Sequence, residues 1–225
     1  MAAGTVIDRL KNLLHKRKLK TLYNRYKEFT MIPEKEFIQN LQLIDRFRTV
    51  SGSIVECGVW RGGMSAGIAD VLGNERTYYL FDSFEGLPEA KSIDGKAAMD
   101  WQKNVHSQTF FNNCRAEIEW AQKAMKLSAG KDHIITKGWF VDSLENFAPK
   151  NEIAVLRLDG DWYDSTMVCL VKLFPKVASG GIVVIDDYYL WDGCSKAVHD
   201  YLSKNNITAR IKQFEGGNLH YIVKE

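Results

Sequence analysis

Apolar and polar positions along this chain repeat with two different periods. Short runs rich in β-branched and aromatic residues, at 53–57, 77–81, 133–136, 153–158 and 182–185, read as buried strands. Longer stretches between them carry the 3.6-residue period of helices, at about 34–50, 62–72, 112–129, 165–177 and 194–202. Two last runs, 209–214 and 219–223, flank Glu215-Gly-Gly-Asn218 and read as a closing hairpin. Strands that alternate with helices predict an α/β fold, a mostly parallel sheet with helices on both faces. Ligands of such folds bind beyond the carboxyl ends of the strands.

Two stretches fall outside that alternation. Residues 85–111 are polar, carry Gly86, Pro88 and Gly95, and show little periodicity. A segment of that length reads as a lid over the ligand edge rather than a turn. Ahead of the first strand, Leu10, Leu13, Leu14, Leu22, Tyr23, Tyr26 and Phe29 recur at roughly helical spacing. The organisation is therefore an N-terminal helical extension over 1–50 and one α/β domain over 51–225.

Charge changes the picture of that extension. The 225 residues have a formal net charge of only +2, yet residues 9–27 hold Arg9, Lys11, Lys16, Arg17, Lys18, Lys20, Arg25 and Lys27 and no acid before Glu28. The rest of the chain is consequently acidic. A basic amphipathic helix can dock a second copy of an acidic body, lie on an anionic membrane, or pack on its own domain with a solvated basic face. A homo-dimer is the leading expectation. No aromatic platform is interleaved with these charges, so nucleic acid is not expected as a partner. Composition adds exclusions: no stretch approaches the ~20 apolar residues of a membrane span, and the N-terminus lacks the apolar core of a secretory signal. Four cysteines form no CxxC and five histidines no HExxH. Reduced, mostly buried thiols in a cytoplasmic protein are expected.

The candidate chemistry is acidic. The run Ile153–Leu158 delivers Asp159 and Asp161 to a strand end, and Gly181–Ile185 delivers Asp186 and Asp187. Neighbouring strands lie ~4.8 Å apart, so adjacency of these two would bring four carboxylates together. Such a group must stay partly protonated or hold a cation. A hard divalent ion with oxygen ligands, Mg²⁺ or a relative, resolves it most simply. The first strand leads into a glycine turn, Glu56-Cys-Gly58-Val-Trp-Arg-Gly-Gly63, where backbone can approach a ligand closely. The second strand ends at Asp82, placed to meet ribose hydroxyls or to cap a local turn.

Five segments in register carry a resemblance: Glu56–Gly63, Asp82-Ser-Phe-Glu-Gly-Leu-Pro88, Lys137-Gly-Trp-Phe140, Leu158-Asp-Gly-Asp-Trp-Tyr-Asp-Ser165 and Gly180–Tyr188. Together they resemble the macrocin O-methyltransferase family, from about Phe29 to Val198. The resemblance implies a class I, Rossmann-like methyltransferase fold with a seven-stranded sheet, S-adenosylmethionine as cofactor, Mg²⁺ dependence, and a hydroxyl acceptor on a sugar or glycosylated small molecule. By the same resemblance Glu56, Gly58, Asp82 and Ser83 contact the cofactor, Asp161, Asp186 and Asp187 hold the metal, and Asp159 is the base, with the split between Asp159 and Asp161 left open. Trp139 and Phe140 either wall the cofactor, stack on a sugar face, or pack in the core. The alternative from another reaction class is a haloacid-dehalogenase-type Mg²⁺ phosphatase, built on the same acidic pairs. It leaves the glycine turn and Asp82 without a task, and Tyr163 stands where its threonine belongs.

Overall fold

The computed structural model describes the backbone of residues 6–225 and side chains from residue 13 onward. Seven strands, β1 (Ser53–Cys57), β2 (Tyr78–Asp82), β3 (His133–Lys137), β4 (Ile153–Leu158), β5 (Val177–Ile185), β6 (Ile211–Gln213) and β7 (His220–Val223), form one sheet ordered 3-2-1-4-5-7-6. The first five run parallel. Strand β7 runs antiparallel to both β5 and β6. The order reverses between β1 and β4, and the crevice of such a sheet opens at that switch point. β1 and β4 are buried at every position, which is why both read as continuous apolar runs.

Successive side chains divide between two cores. Ile54, Tyr78, Leu80, Ile182 and Val184 face helices α1 (Val6–Tyr26), α2 (Glu34–Asp45), α3 (Gly63–Leu72) and α6 (Ile118–Leu127). Val55, Cys57, Tyr79, Phe81, Val183 and Ile185 face α8 (Tyr163–Leu173) and α9 (Asp192–Lys204). This period-2 division makes the sheet the middle of three layers. Cys57, Cys169 and Cys194 are buried and free, and Cys114 is half-buried.

Several boundaries depart from the sequence reading for physical reasons. Helix α8 stops at Leu173 instead of reaching 177, because Pro175 cannot continue it and restrains Phe174. Helix α2 stops at Asp45, and residues up to Val50 close in tighter i→i+3 turns. The helix expected from Asn112 begins at Ile118, because the single turn α5 (Phe111–Cys114) is left-handed, with φ of 46°, 55°, 56° and 58°. Asparagine visits that region more readily than most residues, and two of the four are Asn. The lid segment is not featureless: it contains α4 (Gly95–Lys103), with Ala98 buried. The arm is not separate either. Leu19, Leu22, Tyr26 and Phe29 enter the first core, while Leu13 and Leu14 are exposed. Arg25 pairs with Asp70 at 3.0 Å and Lys20 with Glu34 at 2.9 Å. The side chains of Arg9, Leu10 and Lys11 lie outside the described residues. No helix among the described residues is long and apolar enough to cross a membrane.

Candidate active site

Every residue to which the sequence assigned a cofactor, metal or base role lines one cavity of about 620 Å³ at the carboxyl edge of the sheet. Glu56 and Gly58 come from β1 and its turn, Asp82 and Ser83 from the end of β2, Asp159 and Asp161 from the β4 end, and Asp186 and Asp187 from the β5 end. Trp139 approaches from the loop after β3 and Phe140 from the first position of the short helix α7 (Phe140–Ser143), with the Trp139 ring exposed and Phe140 half-buried.

The glycine turn needs glycine for its own packing. Gly58 has φ +87°, and a Cβ there would sit 1.7 Å from the Asp159 carbonyl oxygen. The same crossing is closed by the Asp159 N–H, which donates to the Cys57 carbonyl at 2.8 Å. The β1 turn and the β4 end are thereby held against each other, and the glycine-turn half of the cavity abuts the acidic half.

Asp82 secures that turn. Its Oδ2 accepts the backbone N–H groups of Val59 at 2.7 Å and Trp60 at 2.8 Å, and its Oδ1 accepts that of Phe84 at 2.7 Å. Burial pushes its carboxyl up, and these three donors pull it back. A carboxylate has about four acceptor positions, so roughly one remains for a ligand hydroxyl. Ser83 turns inward to its own loop: its hydroxyl donates to the Gly86 carbonyl at 2.9 Å and accepts the Glu85 N–H.

β4 and β5 are neighbours, with Leu158 opposite Ile185, and the four aspartates meet at that edge. They divide into two groups. Asp159, Asp161 and Asp187 each offer an oxygen within 4.8 Å of the others. Asp186 lies outside that trio and sits 2.6 Å from Arg157 Nη2 in an ion pair off-axis for a hydrogen bond. Asp161 has φ +58°, its N–H reaches Asp187 Oδ2 at 3.1 Å, and the Trp191 indole N–H holds its Oδ1 at 2.8 Å. A non-glycine residue in that backbone region is strained, and such strain gathers at functional sites. Burial is the first reason the carboxyls of Asp159 and Asp187 stand well above the ordinary range. Asp161 is pushed up to about 6, chiefly by burial and further by Asp186, against the Trp191 hydrogen bond.

Sequence reasoning missed Arg157, which is almost fully buried beneath this edge. Its Nη1 donates to Glu56 Oε1 and Asp159 Oδ2, both at 2.7 Å, and its Nε to Asn40 Oδ1 at 3.2 Å. The signal was a lone charge inside the run Ile153-Ala-Val-Leu-Arg-Leu158. A charge buried so completely must be paired. Glu56 is pushed up by its burial and pulled back by Arg157 and by Ser65, whose hydroxyl donates to it. Trp191, Asn40 and Cys114 also line the cavity and were not anticipated.

The segment after β2, with Gly86, Leu87, Pro88 and Trp101, closes one side of the cavity. The Trp162 indole donates to the Pro88 carbonyl at 2.9 Å, and Asp94 accepts the Tyr163 N–H at 2.7 Å. Trp101 of α4 meets Trp162 and Trp191 edge-on, with centroids 6.1 and 5.9 Å away.

Comparison with known proteins adds four findings. A family model described as macrocin-O-methyltransferase matches residues 14–221. A demethyldecarbamoylnovobiocin O-methyltransferase of Streptomyces niveus is 37% identical, across 76% of this chain and 66% of that protein. A tetracenomycin rhamnosyl 4'-O-methyltransferase of Streptomyces olivaceus is 36% identical, again across 76% of this chain and 66% of that one. The chain thus spans about two thirds of the length of these relatives. The solved structure of the O-methyltransferase NovP superposes with a TM-score of 0.69 at 30% identity, covering 87% of this chain and 82% of that one.

Proposed function

The chain belongs to the macrocin O-methyltransferase family, and on that premise we propose that it moves a methyl group from S-adenosylmethionine to a hydroxyl of a sugar or glycosylated small molecule, with a divalent cation in the acidic cluster. The observation that carries the reading is the single cavity in which a glycine turn, an acid at the end of β2 and three converging aspartates meet. Both relatives are O-methyltransferases by name, and the name of one gives a rhamnosyl compound as its substrate, which supports a glycoside acceptor. The phosphatase alternative has no support in these relationships.

The donor set fits a hard cation. Asp159, Asp161 and Asp187 supply only oxygen, and they lie within 4.8 Å of one another. Burial raises all three carboxyls, so their joint ionisation calls for a compensating positive charge. Asp161 and Asp187 would hold the ion, with Asp159 and Asp186 beside them. When bound, such an ion lowers the pKa of a coordinated hydroxyl.

The remaining work falls to the chain. The free acceptor position of Asp82 takes a ribose hydroxyl, and the Gly58 turn lets the nucleoside approach the backbone. Asp159 takes the proton from the acceptor hydroxyl. The acceptor oxygen forms a bond to the methyl carbon as the carbon–sulfur bond breaks, which leaves a methyl ether and S-adenosylhomocysteine. Alignment of oxygen, carbon and sulfur is the protein's main contribution. Trp139 and Phe140 wall the approach to that line. Calorimetry with S-adenosylhomocysteine tests the cofactor: micromolar binding is expected, and none would overturn the reading. With an acceptor in hand, EDTA should abolish methyl transfer and Mg²⁺ should restore it. Full turnover in EDTA would remove the cation and leave Asp159 as an unaided base.

A further inference from the structure

We propose that Arg157 is a positioning residue serving both halves of the site at once, its one guanidinium fixing Glu56 on the cofactor side and Asp159 and Asp186 on the cation side. The inference rests on the cofactor-and-cation reading above.

The register of the sheet puts the group there. Glu56 and Arg157 are direct partners across β1 and β4. Asp159 follows Arg157 by two residues on the same chain, and Asp186 follows Val184, the partner of Arg157 on β5, by two. Positions two apart share a face of a strand. All four groups consequently point to the side covered by α2, whose Asn40 takes the Nε–H. Four elements meet on one side chain, and three carboxylates share its charge.

The guanidinium suits this task in a way no other side chain does. It is planar, stays charged, and carries five N–H donors in a fixed fork. Nη1 is divided between Glu56 and Asp159, so a displacement of one acid moves the donor that orients the other. Because Asp159 Oδ2 is held by Arg157, the second oxygen is the one free to face Asp161 and Asp187. Lysine keeps the charge but places one nitrogen where the fork places three, and it cannot hold Asn40, Glu56, Asp159 and Asp186 together.

The test uses the full chain and two probes, S-adenosylhomocysteine by calorimetry and Mn²⁺ by electron paramagnetic resonance. Absence of binding of either probe to the unaltered protein overturns the underlying reading, and this inference with it. If both bind, Arg157→Lys is expected to weaken both by at least tenfold while circular dichroism shows the fold retained. Asp161→Asn, a position that makes no hydrogen bond to any Arg157 partner, is expected to weaken Mn²⁺ and leave S-adenosylhomocysteine within twofold. Should Arg157→Lys fail to fold, Asn40→Ala removes the Nε acceptor without touching a carboxylate, and both affinities should fall in parallel by threefold or more. A folded variant of either kind with one or both affinities unchanged, or with only its melting temperature lowered, overturns the proposal.

Discussion

Asp82 is bound to three backbone amides before any ligand arrives, and that changes what its replacement should do. Asp82→Ala strips the donors of Val59, Trp60 and Phe84 of their acceptor and, on the proposed function, takes away the ribose contact as well. A loss of at least tenfold in S-adenosylhomocysteine affinity is expected, together with ~1–3 kcal/mol of stability for unpaired buried donors. Calorimetry and thermal melting read the two separately, and an unchanged affinity would take Asp82 out of the site. The position of this acid was legible in the sequence, and capping of a local turn stood beside the ribose as an alternative; that it also holds the turn after β1, more than twenty residues away, was not legible. The bonds depend on Trp60 and Phe84 adopting φ of 47° and 53°, which no side-chain pattern announces. The acidic pairs were legible for a simpler reason: each ends an apolar run, and adjacency of the two strands does the rest. Asp161 gives a pH prediction. Its ordinary value is 3.8 and burial raises it to about 6, so in that interval the native state keeps a proton that the unfolded chain has lost. The stability this contributes is present in full below the lower value and disappears as pH rises through the upper one. Cation-free protein should therefore melt roughly 3–6 °C lower at pH 7.5 than at pH 5 on account of this group, from ~1–2 kcal/mol. Asp161→Asn should flatten that slope, and Mg²⁺ should raise the melting temperature more at pH 7.5 than at pH 5. A slope unaltered by Asp161→Asn would show that the proton resides elsewhere in the cluster.

At the scale of elements, the lid is held by a small number of polar ties. Gln102 of α4 accepts the Ala90 N–H at 2.7 Å and donates to the Pro88 carbonyl at 2.9 Å and to Asn113 at 3.0 Å. Asn113 in turn donates to the Leu87 carbonyl at 2.7 Å, from a left-handed turn. Asn113→Ala removes these side-chain ties and sets alanine at φ 56°, at a cost of about 1–2 kcal/mol for the backbone alone. Protease nicking within 85–111 should accelerate severalfold in that variant, with circular dichroism little changed. In the unaltered protein, cofactor and acceptor together should slow nicking, as expected of a segment that orders over bound ligand. Equal cleavage with and without ligands would reduce the segment to a fixed wall. The sequence showed this stretch as long and polar but concealed its helix. Ala98 and Trp101 alone mark the inner face of α4, too few positions to establish a period over nine residues. The left-handed turn was hidden equally well, since Phe111-Asn-Asn-Cys114 looks like the continuation of the helix beyond it. The strands were easier. Side chains of β1, β2 and β5 alternate between two cores, and both are apolar, so each strand appears as an unbroken run wherever its ends are set.

For the whole molecule, the question is where the basic arm ends and the domain begins. Charge alone placed that limit after Lys27, with the arm free to dock a second copy or an anionic surface. Packing places it earlier. Leu19, Leu22 and Tyr26 are buried against α2 and α3, and the Tyr26 hydroxyl and Arg25 both reach Asp70, whose other oxygen accepts the Ala129 N–H. The last two turns of α1 therefore belong to the core and connect α3 to the loop after α6. Upstream, the described residues Leu13, Leu14, Lys16, Arg17 and Lys18 are exposed. Two truncations separate these regions. Removing residues 1–18 takes away no buried side chain among the described residues, so melting temperature and S-adenosylhomocysteine affinity should stay close to those of the full chain. Removing residues 1–27 exposes the partners of three buried side chains, each worth ~1.5–3 kcal/mol. That is a large share of the 5–15 kcal/mol by which domains are stable, so this form should be insoluble or melt many degrees lower. If the exposed basic segment is the contact with a second copy, the shorter truncation alone should reduce the mass seen by light scattering, and added salt should do the same to the full chain. If mass is unaffected and anionic vesicles retain the full chain but not the truncated one, the surface it meets is a membrane. A stable, cofactor-binding 28–225 fragment would show that α1 lies against the domain without supporting it, and would return the boundary to Lys27.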